Sequence, residues 1–136
     1  MVISKVIYKG DLRTEALHLA SGNTIITDAP PDNQGKGEAF SPTDLVATAT
    51  ASCALTIMGI AARTHGMDII GTEVEVTKIM AANPRRIAEI HCRMRVPDRG
   101  LSDKQKKILE NAAYTCPVVL SLSDEIKKII TLDFIP

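Results

Sequence analysis

The chain opens on a β-branched, apolar stretch, Val2–Tyr8, that reads as a strand ending in a turn at Lys9-Gly10-Asp11. Leu12–Ala20 and Thr24–Thr27 follow as short strands, with Ser21-Gly22-Asn23 as the hairpin turn between them. Residues 29–39 (APPDNQGKGEA) carry no periodicity and read as a flexible Pro/Gly-rich loop. Ser41-Pro42-Thr43-Asp44 then starts a helix: Ser41 can cap, Pro42 suits the first helical position and Asp44 is the acid three residues on. That helix is expected to run to about Thr64, with His65 near its end and Gly66 as the stop. Thr72–Met80 and Arg86–Val96 alternate as strands joined through Asn83-Pro84. Ser102 and Gln105 form a second capping box, opening a helix to about Thr115. Pro117 ends it or begins a short new one through Leu122, and Ile129–Ile135 closes the chain as a strand.

The order βββ-α-ββ-α-(α)-β is α+β, and one compact domain over residues 1–136 is expected. Leu45–Ala62 is apolar or small on nearly every face, so the helix must be surrounded by protein and is central to the fold. It approaches the minimum length for a membrane span, but its Ala and Thr content, Ser52 and Gly59 favour a buried helix in a soluble protein. Five strands cannot all pair as simple neighbours around one such helix. A second copy supplying part of the cover would solve that problem, so a dimer is expected.

Composition narrows the function. With 16 basic and 16 acidic side chains, no basic block, two Phe, two Tyr and no Trp, nucleic acid is not an expected partner. The first residues, MVISKVIYKG, lack the apolar core and cleavage site of a signal peptide, which points to a reducing, cytoplasmic setting for the three cysteines. No His and Cys stand at metal-ligand spacing, and Gly35-Lys36-Gly37 lacks the remainder of a phosphate-binding loop. His18 alternates with leucines onto an outer strand face, His65 suits its helix end, and His91 shares a polar face with Arg93 and Arg95.

The cysteines differ in setting. Alternation puts Cys92 on the apolar face of its strand with Ile90, Met94 and Val96, where it acts as a small hydrophobe. Cys53 shares a helical face with Ala49, Ile57 and Ile60, company in which a thiol is ordinarily inert unless a positive charge is brought in from elsewhere. Cys116 extends the stripe Ile108, Leu109, Ala112 and Ala113, and as cap of a turn opened by Pro117 it would have its thiolate mildly stabilised. Spacing alone does not say whether Cys53 and Cys116 meet.

F-S-P-T-D-L-V-A-T-A-T-A-S-C (Phe40–Cys53), followed 63 residues later by A-A-Y-T-C-P-V (Ala112–Val118), resembles the OsmC/Ohr family over essentially the whole chain. The resemblance implies an intertwined homodimer with central cysteine-bearing helices wrapped by antiparallel sheets, and two active sites at the subunit interface. It implies a peroxiredoxin-like thiol peroxidase of the antioxidant stress response, which reduces small organic hydroperoxides and needs no metal or organic cofactor. Cys53 matches the peroxide-reacting cysteine and Cys116 the resolving one; a cellular dithiol would regenerate both. The family commonly adds an Arg from the N-terminal strands, for which Arg13 is the nearest candidate. Thr43, beside Asp44, stands where many members carry a Glu, which marks a divergent member. Two other readings remain: a non-enzymatic binder or sensor that traps a small apolar or electrophilic molecule on Cys53, and a structural dimer whose cysteines merely pack.

Overall fold

The computed structural model describes residues 1–136 and shows the expected α+β fold, with the elements in the expected order. They are β1 (Ser4–Gly10), β2 (Arg13–His18), β3 (Thr24–Asp28), α1 (Pro42–Thr64), β4 (Glu73–Ala81), β5 (Arg86–Pro97), α2 (Asp103–Tyr114), α3 (Pro117–Ser121) and β6 (Lys127–Ile135). The chain divides into two compact units, Met1–Val46 and Ala47–Pro136.

In the N-terminal unit β1, β2 and β3 form an antiparallel meander. Its first turn falls one residue later than expected. Gly10 pairs with Arg13, which leaves Asp11 and Leu12 as a two-residue loop with φ of 53° and 60°. Two left-handed residues match the twist of a tight hairpin, at a cost of about 1–2 kcal/mol for a residue such as leucine. Leu12 is held there from both sides: its N–H donates to Tyr8 Oη at 3.3 Å and its carbonyl accepts from Ala29 N–H at 3.0 Å. The loop at 29–39 is more structured than its composition suggests. It contains a 3-10 turn, Pro31–Asn33, and Gly35 and Gly37 donate to Pro30 and Ala29 carbonyls. A Cβ on Gly35 would stand 1.7 Å from Ala29 O, so only glycine fits that approach.

In the C-terminal unit β5 lies between antiparallel β4 and parallel β6. Rows such as Val76–Cys92–Ile130 and Val74–Met94–Leu132 occupy one face, and rows such as Glu75–Arg93–Thr131 the other. The first face is the core face: Ile90, Cys92, Met94 and Val96 are all buried there, packed with Leu109 and Ala113 of α2. Both capping boxes form. Ser41 N–H donates to Asp44 Oδ2 while Asp44 N–H donates to Ser41 Oγ, each at 3.0 Å. Ser102 and Gln105 repeat the exchange at the start of α2.

One expectation is altered. Helix α1 is not enclosed by its own chain: Ala47, Ala51, Ala54, Met58 and Ala62 form its buried face, while Val46 and Ile60 stand exposed. It is long and apolar enough to cross a membrane, yet only 33% of its most apolar window is buried. With small apolar residues on all sides, its sequence pattern does not distinguish the face that its own unit covers from the face left open.

Candidate thiol active site

Two turns of structure fix Cys116. Helix α2 ends at Tyr114, and Thr115 N–H donates back to Ala112 O at 3.2 Å, closing the helix. Pro117 at the first position of α3 then opens a new turn with Cys116 as its cap, at φ −70° and ψ 146°. Cys116 Sγ accepts the Val119 N–H at 3.4 Å. Tyr114 anchors the approach: its Oη donates to Ile130 O at 2.8 Å and accepts the Ile130 N–H at 2.9 Å on the edge of β6. That anchor was not legible in the sequence, because a tyrosine two residues before the cysteine does not announce which strand edge it caps.

Cys116 is fully buried, Cys92 is buried, and Cys53 alone is half-buried. All three are free thiols. Cys53 is close enough to act on the Cys116 thiol and raise its pKa, so the two cysteines set 63 residues apart are neighbours in the fold. The mild activation expected of Cys116 is outweighed. Burial raises its pKa, the N–H groups of Val119 and Val118 pull it down, and the Cys53 thiol raises it again. Cys92 is pushed up to about 11, by burial first and by the charge of Cys116 second. It is a non-ionised core residue at neutral pH, as its alternation implied.

The face of α1 around Cys53 is mixed, with Cys53 and Ile57 packed partly against the core. Ala49 and Ile60 are exposed and Ile57 is half-buried, whereas Ala54 is buried. Cys53 therefore stands at the margin of the core, partly enclosed by apolar neighbours and partly exposed. Concavities of about 280 and 350 Å³ open elsewhere in the unit, beside Arg95 and Arg63, and no cysteine lines either. No three His, Cys, Asp or Glu converge to hold a metal. His91 pairs with Glu89 at 2.9 Å on the outer sheet face, and His18 Nδ1 meets Ser21 Oγ at 2.6 Å.

Arg13 belongs to the N-terminal unit and has its own constellation. Cross-strand register sets it opposite Asp28. Its Nε donates to Asp28 Oδ1 at 2.7 Å and its Nη2 to Asp28 Oδ2 at 2.8 Å, a side-on fork; Nη2 also reaches Glu38 Oε1 at 3.2 Å. Asp28 is fully buried and also accepts the Glu38 backbone N–H at 3.1 Å. The Arg13 bond, opposed by burial and helped by the charges of Arg13 and Lys36, holds the Asp28 carboxyl below its usual range. Asp28 in turn is the chief cause of a raised Arg13 pKa. Asp28 and Glu38 were missed from the sequence, where Asp28 fell just past the expected end of its strand. Thr43 Oγ1 engages Ser41 Oγ at 3.3 Å.

A profile of OsmC-like proteins matches residues 35–131, across the boundary between the two units. The chain belongs to the OsmC family. A crystal structure from Psychrobacter arcticus 273-4, named for osmotic stress induction and a detoxification response, is similar at 57% identity and a TM-score of 0.93, over 98% of this chain and 96% of that one. Two other OsmC-family structures share the fold at low identity. An organic hydroperoxide resistance protein OsmC from Legionella pneumophila has 15% identity and a TM-score of 0.77, over 98% and 96% of the two chains. An OsmC-like protein from Mycoplasma pneumoniae has 18% identity and a TM-score of 0.81, over the same shares. No curated protein sequence matches the chain.

Proposed function

We propose that this OsmC-family chain is a cytoplasmic, homodimeric thiol peroxidase that reduces small organic hydroperoxides through Cys53 and Cys116. The observation that carries the reading is a half-buried thiol, Cys53, near enough to the fully buried Cys116 to raise its pKa. The greater exposure of Cys53 supports the roles the resemblance implies, with Cys53 meeting the peroxide and Cys116 resolving it.

In the first step Cys53 thiolate attacks one peroxide oxygen, forming an S–O bond and breaking O–O. The alkoxide takes a proton and leaves as alcohol, and Cys53 becomes a sulfenic acid. Cys116 sulfur then attacks Cys53 sulfur, water leaves, and a disulfide forms. A cellular dithiol reduces it by exchange and returns both thiols. The family resemblance gives Arg13 the part of supplying positive charge to the thiolate and to the departing alkoxide. Ala49, Ala54 and Ile57 around Cys53 favour an organic peroxide over hydrogen peroxide.

Two open surfaces support the homodimer. The outward face of α1 and both faces of the β1–β3 sheet carry exposed apolar side chains, Val6, Ile7, Tyr8, Ile25 and Ile60 among them. Burying each contributes about 1.5–3 kcal/mol, and a second copy has the matching faces. A dimer also removes the open side of α1 from water without a membrane.

The test is consumption of cumene hydroperoxide by the whole chain with excess dithiothreitol. Cys53→Ser is expected to lower the rate at least a hundredfold, and a rate equal to wild type ends the proposal. A lasting adduct on Cys53, with no turnover, would instead support the binder or sensor.

A further inference from the structure

In the proposed reaction Cys116 acts second, and what it contributes is the place of its sulfur. On its C-terminal side the cysteine is fixed by Pro117 and by the Val119 N–H that bonds Sγ at 3.4 Å. On its N-terminal side the fixing group is Tyr114, which no step of the reaction uses. Strand β6 is an end strand of its sheet, paired with β5 alone. Tyr114 Oη donates to Ile130 O at 2.8 Å and accepts the Ile130 N–H at 2.9 Å, so one hydroxyl occupies both backbone polar groups of a single β6 residue. The helix end does not need these bonds, since Thr115 N–H already closes α2 on Ala112 O. Tyr114 is 44% exposed, so burial of its ring does little to hold it in place, and the two bonds do.

Ile130 pairs across the sheet with Cys92. After burial, the charge of Cys116 is what raises the Cys92 pKa, so Cys116 stands near the row that the tyrosine grips. Only Thr115 separates anchor from thiol, at most about 7 Å of chain. Thr115 is itself held, its Oγ1 donating to the Asn111 and Ala112 carbonyls at 3.1 and 3.2 Å. The link from β6 to Cys116 is therefore short and stiff. It lies wholly inside the unit Ala47–Pro136, which also carries Cys53.

We propose that Tyr114 is a positioning residue for the resolving step: by clamping the end of α2 to Ile130 it holds the Cys116 sulfur where it meets Cys53. This rests on the functional reading given above. In that step Cys116 sulfur attacks the sulfur of the Cys53 sulfenic acid. The S–S bond forms, the S–O bond breaks, and hydroxide leaves with the thiol proton as water. A sulfur already in place raises the effective concentration of one thiol at the other. The tyrosine hydroxyl does not serve as the acid or base, because it spends its proton on Ile130 O and accepts the Ile130 N–H.

The rival role for Tyr114 is cover for an open sheet edge. Such cover is the same whether the thiols are free or joined, so losing it would lower the melting temperature of both forms and leave the thiol–disulfide ratio unchanged. The experiment equilibrates the full chain in glutathione buffers, which needs no peroxidase activity, and measures the Cys53–Cys116 disulfide by peptide mass spectrometry. Tyr114→Phe is expected to lower the equilibrium constant for the disulfide about tenfold, which raises its reduction potential by about 30 mV. Thr115→Gly keeps the tyrosine but slackens the link, and is expected to shift the ratio in the same direction. If Tyr114→Phe does not fold, Thr115→Gly decides alone. With one equivalent of cumene hydroperoxide, dimedone is expected to trap about tenfold more Cys53 sulfenic acid in Tyr114→Phe than in wild type. An unchanged ratio in either folded variant, or no Cys53–Cys116 disulfide in wild type, overturns the proposal. If wild type consumes hydroperoxide and neither variant shifts the ratio, the functional reading stands and the positioning role falls. If wild type consumes none while both variants shift it, the functional reading fails and the positioning role stands.

Discussion

The two three-stranded sheets of this chain use similar residues to different ends. In β4–β5–β6 one face is apolar and buried, through Ile90, Cys92, Met94 and Val96, while the other carries Glu75, Arg93 and Thr131. In β1–β2–β3 apolar residues occupy both faces: Val6 and Ile25 share one with Ala16, Ile7 and Ile26 the other with Glu15, and all four outer-strand side chains are exposed. The first sheet satisfies itself within its own unit. The second has apolar surface left over, and its chemistry is concentrated in one buried ion pair, Arg13–Asp28. The self-sufficient sheet belongs to the unit that carries the thiols, and the incomplete one to the unit that carries the cation. We read the apolar surface left on the first three strands as support for the proposed dimer.

The comparison breaks most readily at the apolar surfaces. Ile25→Asp would place a charge inside the proposed dimer contact, at a cost of several kcal/mol. It is expected to weaken dimerisation about a hundredfold or more, measured by light scattering across a dilution series. Thr131→Asp, on the polar face of the other sheet, is expected to leave the dimer unchanged. Equal effects from the two would remove the distinction between the sheets.

A smaller effect sharpens the account of the self-sufficient core. The Cys92 thiol is raised from 9.0 to about 11 in the folded chain. Its contribution is therefore fully present below pH 9 and is lost as pH rises towards 11, because the unfolded chain ionises first. Between those pH values the stability advantage of wild type over Cys92→Ala is expected to shrink by about 2–3 kcal/mol, followed by urea unfolding. A difference that does not vary with pH would show that Cys92 is not shielded as described. The smallest effect expected is at the cap of α2: Ser102→Ala should cost about 1 kcal/mol at neutral pH, by the same measurement.

Much of the fold was legible because its signals are local. Ser41 with Asp44 and Ser102 with Gln105 announced both long helices, and alternation in β5 separated Cys92 from Arg93 and Arg95. Turns were less legible. The first hairpin closes on Asp11-Leu12, where leucine is an unusual left-handed residue that propensity does not anticipate. The site was half legible. Two motifs resembling one family singled out Cys53 and Cys116, and their proximity is a tertiary fact that spacing along the chain does not carry. Asp28 was invisible, because its meaning comes from cross-strand register with Arg13, 15 residues away along the chain. The open face of α1 was equally hidden, since both of its faces are apolar and only packing separates them.

The account turns on whether Cys53 and Cys116 act as one redox pair. The direct measurement is peptide mass spectrometry of the whole chain, quenched by alkylation seconds after one equivalent of cumene hydroperoxide without reductant. We expect a Cys53–Cys116 disulfide as the dominant product, with Cys92 alkylated only after unfolding. Both thiols still free, or Cys53 oxidised to sulfinic acid while Cys116 stays reduced, would contradict it.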